Sequence, residues 1–187
     1  MAALIYSAIA SLDGYVADAE GKFDWSAPDE EVHAYVNDQE RPIGTYIYGR
    51  KMYDVMKVWQ DDGWMGAEPD PVMHDYATIW RAAEKVVVSS TLAEPATPST
   101  RIMSSFDADA LRTLVRDAPT DVSIGGPTIA AEALRAGLVD EIGLFLSPVT
   151  VGGGLRALPD DLRANLSLLA QRRFANGVVH VRYAVDR

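Results

Sequence analysis

The apolar positions of this chain alternate between two rhythms: short unbroken runs, and longer stretches in which apolar side chains return every three or four residues. Residues 3–10 (ALIYSAIA) form a mostly apolar run that ends at Ser11, Asp13 and Gly14, as expected for a strand buried on both faces. Residues 45–48 (TYIY), 85–89 (KVVVS), 121–124 (DVSI) and 141–146 (EIGLFL) repeat that pattern, and 101–104 (RIMS) is a further strand candidate.

Between these runs the period lengthens. The stretch 29–39 follows Pro28 and begins with Asp29, Glu30 and Glu31. Proline's preset φ, and acids near the positive end of the helix dipole, predict a helix there. Met52, Val55, Met56 and Trp59 keep helical spacing through 49–59, a short helix is expected over 74–81, and Leu111, Leu114 and Val115 share one face of 108–117. A helix over 128–136 closes at Gly137, an expected C-terminal cap. Residues 61–71, rich in Gly, Asp and Pro, predict an irregular loop. The segment 166–185 (LSLLAQRRFANGVVHVRYAV) reads as two strands joined at Asn176 and Gly177, a pair that signals a type I′ turn.

This order predicts an α/β fold with a mostly parallel central sheet, helices covering it, and an antiparallel C-terminal hairpin at one edge. With 187 residues and neither a linker nor an internal repeat, a single domain over 1–187 is expected.

Composition removes several function classes. Hydrophobic residues at 48% and charged residues at 24% suit a globular protein rather than a disordered one. A net charge of -10 opposes the basic footprint that phosphate backbones and anionic membranes require, so neither nucleic acid nor membrane is an expected partner. The absence of cysteine excludes disulfides, thiolate nucleophiles and cysteine-based zinc sites. No apolar run reaches membrane-spanning length, and MAALIYSAIA lacks a basic leader region, which makes a cytoplasmic location the expectation.

In an open α/β sheet, ligands bind beyond the carboxyl ends of the strands, and three such ends carry suggestive residues. In IGGPT, Gly125 and Gly126 let a ligand approach the backbone, and Pro127 and Thr128 open a helix whose free amides suit an anion. The alternative is a plain strand-to-helix turn. Gly49, Arg50 and Lys51 place cations beside the start of a helix, as a phosphate site does, or form an ordinary solvated basic pair. The hydroxyls of Ser89, Ser90 and Thr91 follow a buried strand and suit a phosphate or ribose, or else cap a turn.

Asp13 ends the first strand, as a functional acid or as a turn residue beside Gly14. Trp25 and Tyr53 are candidate walls for a planar substrate. His33, His74 and His180 lack metal-site spacing, so no metal is expected, and no Gly-x-Ser-x-Gly elbow is present.

Taken in order, SLDGYVA, YGRKMYDVM, VVVSST and IGGPTIAAEALRAGLVDEIGLFLSPVTVGGG resemble the dihydrofolate reductase-like superfamily. They are most similar to the group related to the reductase domain of bifunctional riboflavin-biosynthesis deaminase-reductases, and the resemblance spans nearly the whole chain. It implies a three-layer α/β/α sandwich with NADPH across the carboxyl edge of the sheet. Gly49, Arg50 and Lys51 match the family's phosphate-binding turn, Ser89, Ser90 and Thr91 its adenosine-phosphate end, and Gly125 and Gly126 its paired glycines. Relatives often join those glycines by a cis peptide, which is therefore expected here, and Asp13 matches the functional aspartate of the riboflavin reductases.

The resemblance further implies hydride transfer to a C=N or C=O bond of a small pteridine- or aminouracil-like substrate, as in a 5-amino-6-(5-phosphoribosylamino)uracil reductase, and a homodimer. The alternatives are a non-catalytic nucleotide-binding or stress-associated relative, or a dihydrofolate reductase. Three departures separate the chain from the riboflavin enzymes: Met52 replaces a hydroxylated residue, no lysine stands near Ser7, and no arginine-bearing loop for a ribose phosphate is found. The stretch 52–78, with Trp59, Trp64 and several acids, also suits a phosphorylated substrate poorly. A dihydrofolate reductase would place one acid on the first helix, where Asp29, Glu30 and Glu31 crowd together.

Overall fold

The computed structural model describes residues 2–66 and 70–186. Its central strand is β1 (Leu4–Ser11), which is followed by a short strand β2 (Tyr15–Ala17) and helix α1 (Glu30–Glu40). Then come β3 (Ile43–Gly49), α2 (Arg50–Met56), α3 (Pro71–Ala82), β4 (Glu84–Val88), β5 (Thr100–Met103) and α4 (Ala108–Asp117). The chain continues through β6 (Asp121–Gly125), α5 (Pro127–Arg135), β7 (Glu141–Ser147), β8 (Leu155–Arg156), β9 (Leu166–Arg173) and β10 (Val179–Val185).

Eight of the strands form one sheet in the order β5-β4-β3-β6-β1-β7-β10-β9. Every pairing from β5 to β7 is parallel, and the C-terminal hairpin adds antiparallel to β7. The α/β sandwich with a parallel sheet and a terminal hairpin is therefore present. Alternation within each strand divides the core into two layers. Leu4, Tyr6, Ile47, Ile124 and Ile142 pack under α4 and α5, whereas Tyr46, Tyr48 and Val87 pack under α2 and α3 through Tyr53, Met56, Tyr76 and Trp80. Val32 of α1 meets Phe145, Phe174 and Val178 in a third cluster beside the hairpin.

Local chemistry sets the helix ends. Asp29, Asp70 and Asp107 each cap a helix by accepting from backbone amides of the first turn. Gly137, at φ 64°, ends α5 with Leu138 N–H donating to the Ala133 carbonyl and Gly137 N–H to that of Leu134, the paired bonds of a Schellman cap.

Several expectations change. The helix over 49–59 stops at Met56 and tightens into a 3-10 turn over Lys57–Gln60. Helix α3 begins earlier than residue 74, because Asp70 caps it and Pro71 fills its first position. The loop expected over 61–71 includes Ala67, Glu68 and Pro69, which lie outside the described residues. The hairpin turn is not type I′, since Gly177 has φ 90° but Asn176 does not enter positive φ. Instead Gly177 N–H donates to the Phe174 carbonyl, and the Asn176 side chain accepts from Val178 N–H, giving a three-residue loop with its left-handed position at the glycine.

A polar chamber lies beneath α1, lined by Ser7, Gln39, Glu40, Ser123, His180 and Arg182. Arg182 donates to Glu141 and to Gln39, whereas Glu40 Oε2 and His180 Nδ1 have no hydrogen-bond partner. Burial pushes the Glu40 carboxyl up to about 7, which the Tyr46 hydroxyl and the Arg182 charge only partly offset. Its place in the last turn, at the negative end of the helix dipole, also disfavours ionisation. Burial and the Arg182 charge push His180 down to about 4. The two groups act on stability with opposite sign. Glu40 is protonated in the folded state between its ordinary 4.5 and about 7, so its contribution falls as pH rises through that window. His180 resists protonation between about 4 and its ordinary 6.5, so its contribution rises with pH over nearly the same range. Glu40→Gln should therefore gain stability over the parent as pH climbs from 4.5 to 7, on the order of 2 kcal/mol. Denaturant unfolding across this range checks it, and parallel profiles for parent and variant would count against the assignment.

Candidate functional site

The strand ends that carry the candidate residues are consecutive neighbours in the sheet. In the order β4, β3, β6, β1, the carboxyl edge presents Ser89 to Thr91, then Gly49 to Lys51, then Gly125 to Thr128, then Asp13. With β7 added, the edge spans four strand intervals, about 19 Å. Tertiary structure has thus brought together segments separated by more than a hundred positions in the sequence.

Within this row, some groups serve the fold and others are free. The Ser89 hydroxyl is buried and accepts from the amides of Thr91 and Leu92, so it caps the turn, as the alternative reading held. Ser90 and Thr91 are exposed, with the Thr91 hydroxyl 3.4 Å from that of Ser89. Arg50 uses Nε on Asp54 at 2.6 Å, and both Arg50 and Lys57 hold the Asp54 carboxyl below its usual range. Lys51 is exposed and forms no ion pair among the described residues.

The paired glycines answer to packing as much as to any ligand. A Cβ on Gly125 would stand 2.8 Å from the Tyr48 ring, and one on Gly126 would stand 3.1 Å from Met52 Cβ. The expected cis bond is absent: no cis peptide occurs among the described residues. Gly126 makes the turn through its own dihedrals instead, at φ 99° and ψ 123°, a conformation other residues rarely adopt. Pro127 then opens α5, no side chain caps the helix, and the amides of Thr128 and Ile129 have no intrahelical acceptor.

Asp13 is a buttress for the opposite wall. Its carboxylate accepts from Val151 N–H at 3.2 Å and from Gly152 N–H at 2.8 Å. The Ser11 hydroxyl and these amides hold it below the usual carboxylate range. Gly154 continues the same loop against β2, where a Cβ would lie 2.1 Å from the Ala17 carbonyl oxygen. The Gly152 to Gly154 run is therefore a strap bound to β1 and β2.

The two aromatic candidates separate. Tyr53 is fully buried; its hydroxyl hydrogen-bonds Thr97 Oγ1 at 2.8 Å and accepts from Ala96 N–H, so it is core rather than substrate wall. Trp25, on the 3-10 turn Asp24–Ser26, lines a cleft of about 220 Å³ with Ile9, Val32, Phe145, Ser147 and Asn176 among its walls. Trp59 meets His33, Tyr76 and Trp64 edge to face in a separate cluster.

None of the three acids at the start of α1 lines the cleft. Asp29 caps the helix, Glu31 pairs with Arg172 and accepts from Ala175 N–H, and Glu30 is exposed. The acid that α1 turns inward is Glu40, at its far end. Phe145 and Ser147 were missed in the sequence reading because they belong to an apolar strand that carries no motif of its own. Ser147 directly before Pro148 at the end of such a run was the available signal. The described residues contain no cluster of His, Asp or Glu suited to a metal.

The model of the RibD C-terminal domain matches residues 2–180. A putative riboflavin biosynthesis protein from Shewanella sp. PV-4 superposes with a TM-score of 0.76 at 20% identity, covering 99% of both chains. A diaminohydroxyphosphoribosylaminopyrimidine deaminase/5-amino-6-(5-phosphoribosylamino)uracil reductase from Thermotoga maritima superposes at 0.68 and 16% identity, over 99% of this chain and 57% of that one. Dihydrofolate reductase from Enterococcus faecalis, complexed with NADP(H), gives 0.65 at 14% identity over 99% and 97% of the two chains. At these identities the structural likeness establishes a dihydrofolate reductase-like fold.

Proposed function

Because the chain belongs to the RibD C-terminal domain family, we propose that it is an NADPH-dependent reductase delivering hydride to a C=N or C=O bond of a small pteridine- or aminouracil-like substrate. The observation that carries this reading is the row of unspent polar groups along consecutive strand ends, leading to an apolar cleft at β1 and β7. Ser90 and Thr91 suit an adenosine phosphate. Lys51, the remaining guanidinium N–H groups of Arg50 and the first-turn amides of α5 suit a pyrophosphate. When bound, the dihydronicotinamide supplies the hydride; the chain supplies orientation and charge placement.

Asp13 acts as a positioning residue in this reading. Its carboxyl stays ionised well below neutral pH and fixes the loop at Val151 and Gly152, at the mouth of the edge. Among the described residues the cleft lining contains no ionisable side chain, so the proton that accompanies the hydride comes from water. That same absence favours a second reading, a nucleotide-binding protein without turnover.

The reductase works as a homodimer in this account. Leu166, Leu168 and Leu169 stand exposed on edge strand β9, Leu168 at 55%, and an unpaired edge with apolar side chains is a template for a second chain.

NADPH titration tests the cofactor site. Lys51→Ala should raise the dissociation constant about tenfold, near 1.5 kcal/mol, at the low end for a charge-assisted bond because solvent reaches the site; unchanged affinity would remove the assignment. NADPH that binds but is never oxidised with pterins or aminouracils would favour the second reading. Light scattering should give the mass of two chains for the parent and of one for Leu168→Asp; a parent of single-chain mass would contradict the dimer.

A further inference from the structure

The cleft beside Trp25 has a chemical bias that narrows its ligand. Its lining is apolar or uncharged throughout, with Ile9, Val32 and Phe145 as walls. Three of its polar groups are unspent. Ser147 is only 5% exposed, and its hydroxyl forms no hydrogen bond among the described residues. The indole N–H of Trp25 is shielded from solvent and has no partner. The Asn176 carboxamide oxygen is taken by Val178 N–H, which leaves its amino group as donor. A buried donor without an acceptor is costly, so a ligand offering acceptors gains most at Trp25 and Ser147, while the exposed Asn176 adds a third donor without that penalty.

Charge around the cleft points the same way. Asp24 adjoins Trp25, and Asp29 adjoins the lining residue Pro28. Of the two cations beside the hairpin loop, Arg172 is already paired with Glu31 and lies over the rings of Tyr35 and Phe174, and neither it nor Arg173 lines the cleft. The volume of about 220 Å³ falls below the roughly 300–1,000 Å³ typical of pockets for larger ligands, and suits one ring system without a sugar phosphate.

We infer that this cleft selects an unphosphorylated, uncharged oxo-substituted nitrogen heterocycle, whose carbonyl edge meets Ser147, Trp25 and Asn176 while its plane packs on Phe145. The inference rests on the reductase reading for its identification of the cleft as the substrate site. It sets the chain apart from a reductase whose substrate carries a phosphoribosyl arm, because no cation in the lining is available to hold one.

Calorimetric titration of the full chain with 5,6-diaminouracil, with pterin and with 5-amino-6-(5-phosphoribosylamino)uracil tests it. At least one unphosphorylated ring should bind ten or more times tighter than the phosphoribosyl compound. Ser147→Ala and Trp25→Phe should each weaken that ring by about three- to tenfold and leave NADPH affinity unchanged. Equal or tighter binding of the phosphoribosyl compound, no binding of either unphosphorylated ring, or two variants that bind like the parent would each overturn the inference. NADPH oxidation driven best by the phosphoribosyl compound would sink this selectivity and leave the reductase reading standing. Selective ring binding without any NADPH binding would do the reverse.

Discussion

Parallel pairing of β4, β3, β6, β1 and β7 is the constraint on which the rest depends. Parallel strands send all their carboxyl ends to one edge, and helical crossovers return the chain across the sheet. The register is tight: Tyr6 aligns with both Ile124 and Ile142, and Ile47 with both Ile124 and Val86. A shift of one residue in any of these strands would reverse its faces and expose the Leu4, Ile47 and Ile124 layer. The apolar core therefore fixes the alignment of Ser89, Gly49, Gly125 and Asp13, although none of them contributes much to that core.

Along this edge the fold already uses several of the polar groups that the proposed nucleotide would need. Ser89 is spent on its own turn, Arg50 partly on Asp54, and Asp13 on the loop at Val151 and Gly152. Lys51, Ser90 and the α5 amides remain, while the Thr91 hydroxyl, though exposed, already meets that of Ser89 at 3.4 Å. The division also explains the glycines. Gly125 makes room for Tyr48, and Gly126 supplies a turn whose dihedrals aim α5 at the edge. They shape the cradle from behind, so their presence is compatible with a bound nucleotide without being caused by one.

Much of this was legible in the sequence wherever a signal was local. Apolar runs gave the parallel strands, Pro28 with the acids after it and Pro127 mark helix starts, and Gly137 marks a helix end, whereas Pro71, read into a loop, opens α3. Where the signal was ambiguous, neighbours decided. Asn176 and Gly177 fit two loop types, and the dihedral of Asn176 selects the longer one. Tyr53 looked like a wall until Thr97 and Ala96, more than forty positions away, claimed its hydroxyl. Glu40 and His180 gave no signal at all, because an acid in a helix and a histidine in a strand look ordinary until tertiary packing buries them together. The cis bond was an inheritance from relatives rather than a consequence of these residues.

The central claim is that a nicotinamide dinucleotide lies across the carboxyl edge with its reactive ring at the β1 and β7 end. A crystal structure grown with saturating NADPH tests it most directly. The account predicts adenosine phosphate density at Ser90 and Thr91, pyrophosphate beside Lys51 and the first turn of α5, and the nicotinamide opening onto the cleft lined by Phe145 and Trp25. A nucleotide bound elsewhere, or one in the reverse direction along this edge, would contradict it.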